Sequence, residues 1–247
     1  AGENRALVSV QWANGETGVG QPIEEIAAVC RRHGARLHVD AAQAVGRLPI
    51  DLGRVPVDLL TFSGHKLHGP PGVGVLFARE PAAVEPLLLG GGQERGVRSG
   101  TENLPGILGL ARALELRAAA FADTVAGMTG LRDALEQELL ATVPGVAVNS
   151  AGAPRVCNTS SLRFSGVDGQ ALLAALDRAG VRCSQTSACS SRRPEPSPVL
   201  RAMGLDEDEA FSSLRFSLSV LTTRDHIDRA VAAVREAVAG LRATLEL

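Results

Sequence analysis

The sequence predicts an α/β fold in which a mainly parallel sheet precedes a smaller α+β domain. Strand-like apolar runs alternate with a helical pattern across residues 6–78, which is typical of βαβ units. A stretch rich in Ala, Leu, Glu and Arg then runs from Glu102 to about Leu140, and shorter strand and helix signals follow Pro144. We therefore predict two domains, residues 1–122 and residues 123–247, with the boundary in or beside the long helical connection.

The elements of the first domain follow from the spacing of its apolar residues. A helix is predicted over residues 22–34, because Pro22 suits a first helical turn and Gly34 suits the position after the last turn. The long connection is predicted to be helical, with breaks at Gly127 and Gly130. Strands are predicted over residues 6–12, 35–43, 57–62 and 72–78.

The second domain alternates less regularly, which predicts an α+β arrangement. Its helices are predicted over residues 168–179, near residues 196–203 and from residue 223 onwards. Its strands are predicted near residues 146–149, 156–164, 181–183 and 213–219.

Composition argues against several classes of partner. The 247 residues are 45% hydrophobic, and the net charge of −2 with a pI near 6.3 gives no electrostatic reason to expect nucleic acid or membrane binding. No apolar stretch approaches the roughly 18–20 residues that a transmembrane helix needs. The four cysteines form no CxxC pair, which favours free thiols in a reducing compartment; we predict a cytoplasmic location and no metal site.

Two charged residues stand where predicted strands end. Asp40 ends the run ARLHVD, and Lys66 follows the next strand in a Gly/Pro-rich turn, SGHKLHGPPG. Taken singly, Asp40 reads as a turn or N-cap aspartate and Lys66 as an exposed loop lysine. Open α/β sheets, however, bind ligands at the carboxyl ends of their strands. An amine and a carboxylate at that edge suit pyridoxal 5′-phosphate (PLP), because the amine can form a Schiff base with its aldehyde while the carboxylate keeps the pyridine nitrogen protonated.

Four blocks of sequence together form a recognisable pattern. They are HVDAAQAVGRLPIDL, FSGHKLHGPPGVGVL, GGGQERGVRSGTEN and SACSSRRPEPSPVLRAMGL with SSLRFSLSVLTT. These blocks resemble the cysteine desulfurases, which are fold-type I PLP enzymes of the class V aminotransferase superfamily, in the branch that serves nitrogen fixation and iron–sulfur cluster assembly. The resemblance implies a partial large domain followed by the small domain, with roughly the N-terminal third of the family's length absent here.

The resemblance implies a role for each matching residue around the cofactor. Lys66 would form the Schiff base, Asp40 would contact the pyridinium nitrogen, and Gln43 would hydrogen-bond the ring hydroxyl. Ser63 and His65 would hold the phosphate, which suits a glycine-rich turn with backbone donors. His65 is also a candidate catalytic residue.

Further matching residues would complete the site. Thr101, in RSGT, would reach the phosphate of the neighbouring subunit's cofactor, which implies a homodimer. Arg215, in SLRFS, would bind the substrate carboxylate as a bidentate fork. The family usually has Asn-Asn-Glu near the start of this match, whereas this chain has WANGETG. Asn14 is therefore a candidate contact for cofactor and substrate, and Gly15 replaces the second amide.

Cys189 is the candidate nucleophile, in a segment whose small, polar and proline-rich composition is typical of a loop. Arg192 and Arg193 would favour its thiolate. Cys183, at a predicted strand end, is the competing thiol and is interpreted as structural; Cys30 and Cys157, among apolar neighbours, are also read as structural.

The implied reaction converts L-cysteine to L-alanine, leaves the sulfur on Cys189 as a persulfide and passes it to an acceptor or scaffold protein. Two alternatives stay open. One is another class V PLP enzyme, such as a selenocysteine lyase. The other is a non-catalytic fragment that binds a partner or maintains a dimer.

Overall fold

The computed structural model describes residues 6–81, 84–185 and 196–245. It separates into two compact units, the first comprising residues 1–13 and 20–121, the second residues 14–19 and 122–247. The change of unit between residues 121 and 122 falls in the long helical connection. The short segment 14–19, which no sequence signal sets apart, belongs with the second unit.

The first unit is built on a four-stranded sheet, whose strands are β1 (Leu7–Gln11), β2 (Arg36–Asp40), β3 (Leu59–Ser63) and β4 (Gly74–Ala78). The strands lie in chain order, β1 to β3 are parallel, and β4 pairs antiparallel with β3. Helix α1 (Ile23–Arg32) connects β1 to β2, and helix α2 (Leu104–Ala119) follows the sheet. The predicted α/β class with a mainly parallel sheet is therefore confirmed.

One face of α1 packs against the sheet. Its buried residues, Ile23, Ala27 and Cys30, recur at the spacing of a helix face. They lie against β2, where Leu37 and Val39 are buried and the alternating residues are half-buried. The sheet therefore has one apolar, buried face and one face that is more accessible.

The second unit combines an antiparallel sheet with helices. Its strands are β5 (Val146–Val148), β6 (Thr159–Phe164) and β7 (Ser213–Ser217), with β6 in the centre. Its helices are α3 (Phe121–Thr142), α4 (Gly169–Arg178), α5 (Pro198–Ala202), α6 (Glu207–Phe211) and α7 (Arg224–Leu245). One buried cluster joins the strands to α3, α4 and α7, and includes Leu135, Leu162, Phe164, Leu172 and Val234.

The helical connection breaks at a different place from the predicted one. α2 ends at Ala119 and α3 begins at Phe121, whereas Gly127 and Gly130 lie inside α3. A Cβ added at either glycine would meet no atom within 4 Å, so neither glycine marks a close approach. A glycine inside a helix costs about 1 kcal/mol relative to alanine, which is too little to end a helix of otherwise strong helix formers. The predicted breaks at these glycines were wrong.

Residues 181–183 do not form the predicted strand. Gly180 has a φ of 80°, and the N–H of Val181 donates to the carbonyl oxygen of Leu176 at 2.8 Å. These features close the end of α4 and use the backbone that a strand would need. Of the described residues 180–185, Ser184 contacts the sheet, through an isolated bridge with Arg215.

Candidate active site

The carboxyl edge of the parallel sheet carries both charged residues that the sequence singled out. Asp40 is the last residue of β2, and its partner across the ladder is Thr61 of β3. β3 ends at Ser63, and Lys66 lies in the short 3-10 helix Gly64–Leu67 that follows directly. Because β2 and β3 are parallel, Asp40 and Lys66 lie at the same edge of the sheet.

Asp40 is held by the turn that follows β2. Its Oδ1 accepts a hydrogen bond from the N–H of Ala42 at 2.9 Å. The N–H of Ala41 donates to the carbonyl oxygen of Thr61 at 2.8 Å, which extends the pairing of β2 with β3 by one residue. Gln43 is half-buried in the same turn. The contact to Ala42 is that of a turn aspartate, and it also orients the carboxylate at the edge of the sheet.

The turn that carries Lys66 is fixed by backbone hydrogen bonds. The N–H of Gly64 donates to the carbonyl oxygen of Val73 at 2.9 Å, and the N–H of Gly69 donates to that of Gly64 at 3.0 Å. A Cβ on Gly64 would lie 3.0 Å from Cγ1 of Val73 and 3.2 Å from its carbonyl oxygen, so the close approach favours glycine. Lys66 is half-buried and His65 is exposed. The lysine therefore lies on a well-defined turn.

A row of polar side chains crosses the sheet beside Asp40, and the sequence analysis missed it. Nδ1 of His38 lies 2.7 Å from Oγ of Ser9, and its Nε2 lies 3.0 Å from Oγ1 of Thr61. His38 is two residues before Asp40 and shares its face of β2. Polar residues alternate with apolar ones in these strands, whereas parallel strands covered on both faces read as continuous apolar runs. That alternation was a usable signal for a polar face next to Asp40.

Arg215, on β7 of the second unit, is a half-buried guanidinium with incomplete hydrogen bonding. Its Nη1 donates to the carbonyl oxygen of Gly15 at 2.9 Å, so the main chain of the Asn14–Val19 segment binds one side of the guanidinium. Within the described ranges its buried Nε has no hydrogen-bond partner. Burial lowers the pKa of Arg215 from its ordinary value, while the carboxylate of Glu16 and, at high pH, the thiolate of Cys183 oppose that shift. A bound carboxylate would satisfy the Nε donor and offset the cost of burial.

The segment Asn14–Val19 forms a turn that uses its own side chains. Oδ1 of Asn14 accepts hydrogen bonds from the N–H groups of Glu16 at 2.9 Å and Thr17 at 3.0 Å. The buried carboxylate of Glu16 accepts a hydrogen bond from Oγ of Ser197 at 2.5 Å. The amide oxygen of Asn14 therefore stabilises the turn, and its contact with cofactor and substrate stays a prediction.

The two competing thiols of the second unit are Cys189 and Cys183. Cys189 lies outside the described residues, as do Arg192 and Arg193. Cys183 is half-buried, and burial is the main reason that its pKa rises to about 12. Near neutral pH Cys183 is therefore a protonated thiol and a poor nucleophile, which supports its structural interpretation.

Two other expectations concern metals and membranes. Among the described residues, no group of three or more His, Cys, Asp or Glu side chains is arranged to hold a metal ion. Within the same ranges, no helix combines the length and hydropathy that crossing a membrane requires.

Thr101, the predicted contact with a neighbouring subunit, is exposed just before α2.

The fold has close counterparts among solved structures, and they define its class. A NifS-like protein from Rickettsia africae superposes with a TM-score of 0.87 at 34% identity, covering 95% of this chain and 62% of that one. SspA, solved in complex with cysteine, superposes with a TM-score of 0.72 at 32% identity, covering 90% of this chain and 61% of that one. The fold is that of the type I PLP-dependent enzymes.

Sequence comparison narrows this class to a family. The family model described as aminotransferase class-V matches residues 2–230, and the chain belongs to that family. The cysteine desulfurase of Trichormus azollae is 47% identical over 240 residues, which are 97% of this chain and 60% of that protein. The chain thus spans about 60% of the length of the curated relatives that it matches.

Proposed function

We propose that this chain is the lysine-bearing part of a PLP-dependent cysteine desulfurase. The reaction would convert L-cysteine to L-alanine and transfer the sulfur to Cys189 as a persulfide, for iron–sulfur cluster or thio-cofactor synthesis. The observation that carries the proposal is the common sheet edge of Asp40 and Lys66, at the ends of two neighbouring parallel strands. The similarity to proteins named cysteine desulfurase selects this activity within the family.

The chemistry of the residues at this edge fits PLP. Lys66 offers an amine for covalent attachment, and the oriented carboxylate of Asp40 offers a partner for the ring nitrogen. Ser63, His65 and the turn around them offer donors for the phosphate, and Gln43 offers an amide for the ring hydroxyl. When bound, PLP supplies an electron sink for bonds broken next to the substrate amine. The amine of Lys66 would then move a proton at the substrate carbon.

The substrate site of the proposal is Arg215. Its buried Nε, which has no hydrogen-bond partner in the described part of the second unit, provides a donor for a carboxylate. Its Nη1 is already fixed on the carbonyl of Gly15, so the guanidinium is oriented before any ligand binds. L-cysteine has the carboxylate that this donor requires, and SspA was solved in complex with cysteine.

Cys189 would accept the sulfur of the substrate. Its thiolate would bond to the substrate sulfur as the carbon–sulfur bond breaks, and the electron pair of that bond would stay with the substrate carbon, which is then protonated. L-cysteine and the thiol would thus give L-alanine and a persulfide. The raised pKa of Cys183 supports the choice of Cys189 between the two thiols of this region. An acceptor or scaffold protein would then take the sulfur.

The proposal includes a homodimer and a cytoplasmic location. Exposure of Thr101 supports its role at a neighbouring subunit's cofactor. The described cysteines Cys30 and Cys183 are free thiols, which suits a reducing compartment.

The test is the visible absorbance of the purified protein after addition of PLP, together with alanine release from L-cysteine. We expect a band from lysine-bound cofactor, its loss in Lys66→Ala, and retention of the band without alanine release in Cys189→Ala. Full turnover by Lys66→Ala, or no band in the unmodified protein, would overturn the proposal. Alanine release from L-selenocysteine but not from L-cysteine would establish the alternative lyase instead.

A further inference from the structure

The turns that carry Asp40 and Lys66 are linked by a side chain that the proposed chemistry does not use. Nη2 of Arg47 donates to the carbonyl oxygen of Lys66 at 2.9 Å, and its Nη1 makes a longer contact of 3.5 Å with the carbonyl oxygen of Ala42. Ala42 is the residue whose N–H binds the carboxylate of Asp40. One half-buried guanidinium therefore contacts both turns of the candidate site.

The strands alone do not fix the distance between the two turns. The pairing of β2 with β3 ends at Asp40 and Thr61, with one further bond from Ala41. Lys66 comes five residues after Thr61 in the sequence, so it lies beyond that ladder. The backbone bond of Gly64 ties the Lys66 turn to the β4 side of the sheet. The hydrogen bond from Arg47 to the carbonyl oxygen of Lys66 links the same turn in the opposite direction, towards β2.

The residue before Arg47 supports the same arrangement. Gly46 has a φ of 72°, which favours glycine, and a Cβ there would lie 2.8 Å from Cδ2 of Leu67. The same Cβ would lie 2.7 Å from Cγ of Arg117 on α2. The turn after β2 is therefore packed directly on the residue that follows Lys66, which brings the guanidinium of Arg47 to the carbonyl of Lys66.

We propose that Arg47 is a positioning residue that holds the Lys66 turn at a fixed distance from the Asp40 turn. The inference rests on the function proposed above for Lys66. A guanidinium suits the task because its planar fork can donate to two carbonyl oxygens at once, whereas an ammonium group is a single point of charge. A hydrogen bond from a charged donor is also stronger than a neutral one, so the link holds the turn firmly.

The test compares Arg47→Met, Arg47→Lys and Arg54→Met in the purified protein. Arg54 is an exposed arginine of the same unit and serves as the matched control. We expect Arg47→Met to lower PLP affinity and kcat roughly 10- to 100-fold with little change in KM, since misplacing a reacting group by about 1 Å can cost that much. Arg47→Lys should recover part of the loss, and Arg54→Met should match the unmodified protein.

A readout without cofactor separates this inference from the proposed function. In the protein free of PLP, amide hydrogen exchange of residues 64–69 should be faster in Arg47→Met than in Arg54→Met. If the unmodified protein gives no lysine–PLP band, the proposed function is wrong, and the exchange result still decides whether Arg47 holds the turn. If Arg47→Met matches Arg54→Met in exchange, PLP affinity and kcat, or lowers only the melting temperature, the positioning role is wrong.

Discussion

The two sheets of the molecule bury their strands differently. In β2 of the first unit, buried residues alternate with half-buried ones, whereas five of the six residues of β6 in the second unit are buried. Parallel sheets are usually covered on both faces and antiparallel sheets on one. The parallel strand β2 therefore has one more accessible face than is usual, whereas the antiparallel strand β6 is buried on both faces.

This difference separates two physical tasks. The second unit encloses its central strand, and some polar side chains beside it pair with one another, as when Nδ2 of Asn149 donates to Oγ of both Ser161 and Ser213. The first unit keeps hydrogen-bonding groups such as His38 and Asp40 on an accessible face of β2. Substitutions in the buried cluster around β6 of the second unit should therefore change mainly stability, and substitutions at the sheet edge of the first unit should change mainly cofactor binding.

The largest expected loss of stability comes from breaking a buried ion pair of the second unit. Glu136 on α3 binds Arg155 through both carboxylate oxygens, at 2.6 and 2.9 Å, and each side chain is only 9% exposed. Glu136→Ala would leave Arg155 as an unpaired buried charge. We expect the free energy of unfolding to fall by about 3–5 kcal/mol, measured by denaturant titration.

The matched control lies two residues further along α3. Glu138 pairs with Arg224, but both side chains are substantially exposed. Glu138→Ala should lower the free energy of unfolding far less than Glu136→Ala does, because solvent screens an exposed pair. Equal losses in the two variants would contradict the closed character of the second unit.

Local signals in the sequence accounted for the candidate site's position at the sheet edge. The runs ending at Asp40 and before Lys66 predicted strands of one sheet, and the parallel pairing of β2 with β3 brings their ends together. Helix α6 was missed although Asp206 and Glu209 form a capping box, a pattern that could have been recognised. The alternation that includes His38 was likewise visible and unused.

Other features depend on contacts that no local signal contains. The segment Asn14–Val19 belongs with the second unit because of partners far along the chain, such as Ser197 for Glu16. The link from Arg47 to Lys66 is of the same kind, since it joins side chain and main chain across nineteen positions. Tertiary packing decides such contacts, whereas spacing of apolar residues decides the elements.

A smaller loss of stability is expected from a glycine in the first unit. Gly46→Ala would place a side chain at a φ of 72° and against Leu67, so we expect about 2–3 kcal/mol from backbone strain and overpacking together. Because the clash is next to Lys66, affinity for PLP should also fall. Thermal unfolding and PLP titration of the variant measure the two effects.

Gly34→Ala is the control that measures the cost of a positive φ without overpacking. Gly34 has a φ of 63°, but a Cβ there would meet no atom within 4 Å. It should lose only about 1 kcal/mol and bind PLP normally. If both variants bind PLP equally well, the packing of the Gly46 turn on the Lys66 turn has no role in the site.

The mildest test concerns Cys183, whose pKa is raised from 9.0 to about 12, chiefly by burial. Because the raised pKa lies in the folded state, the protonated thiol contributes stability that is fully present below pH 9 and is lost as pH rises towards 12. At pH 8 we expect alkylation of Cys183 to be roughly 10²- to 10³-fold slower than in the unfolded protein, since the thiolate is the reactive form. Mass spectrometry of the modified peptide measures this rate.

Cys183→Ala should keep full alanine release at neutral pH, and its stability should fall less steeply between pH 9 and 12. Rapid alkylation at pH 8 would mean that the second unit leaves this thiol open to solvent, and the contrast between the two units would then be weaker than the buried strand β6 indicates.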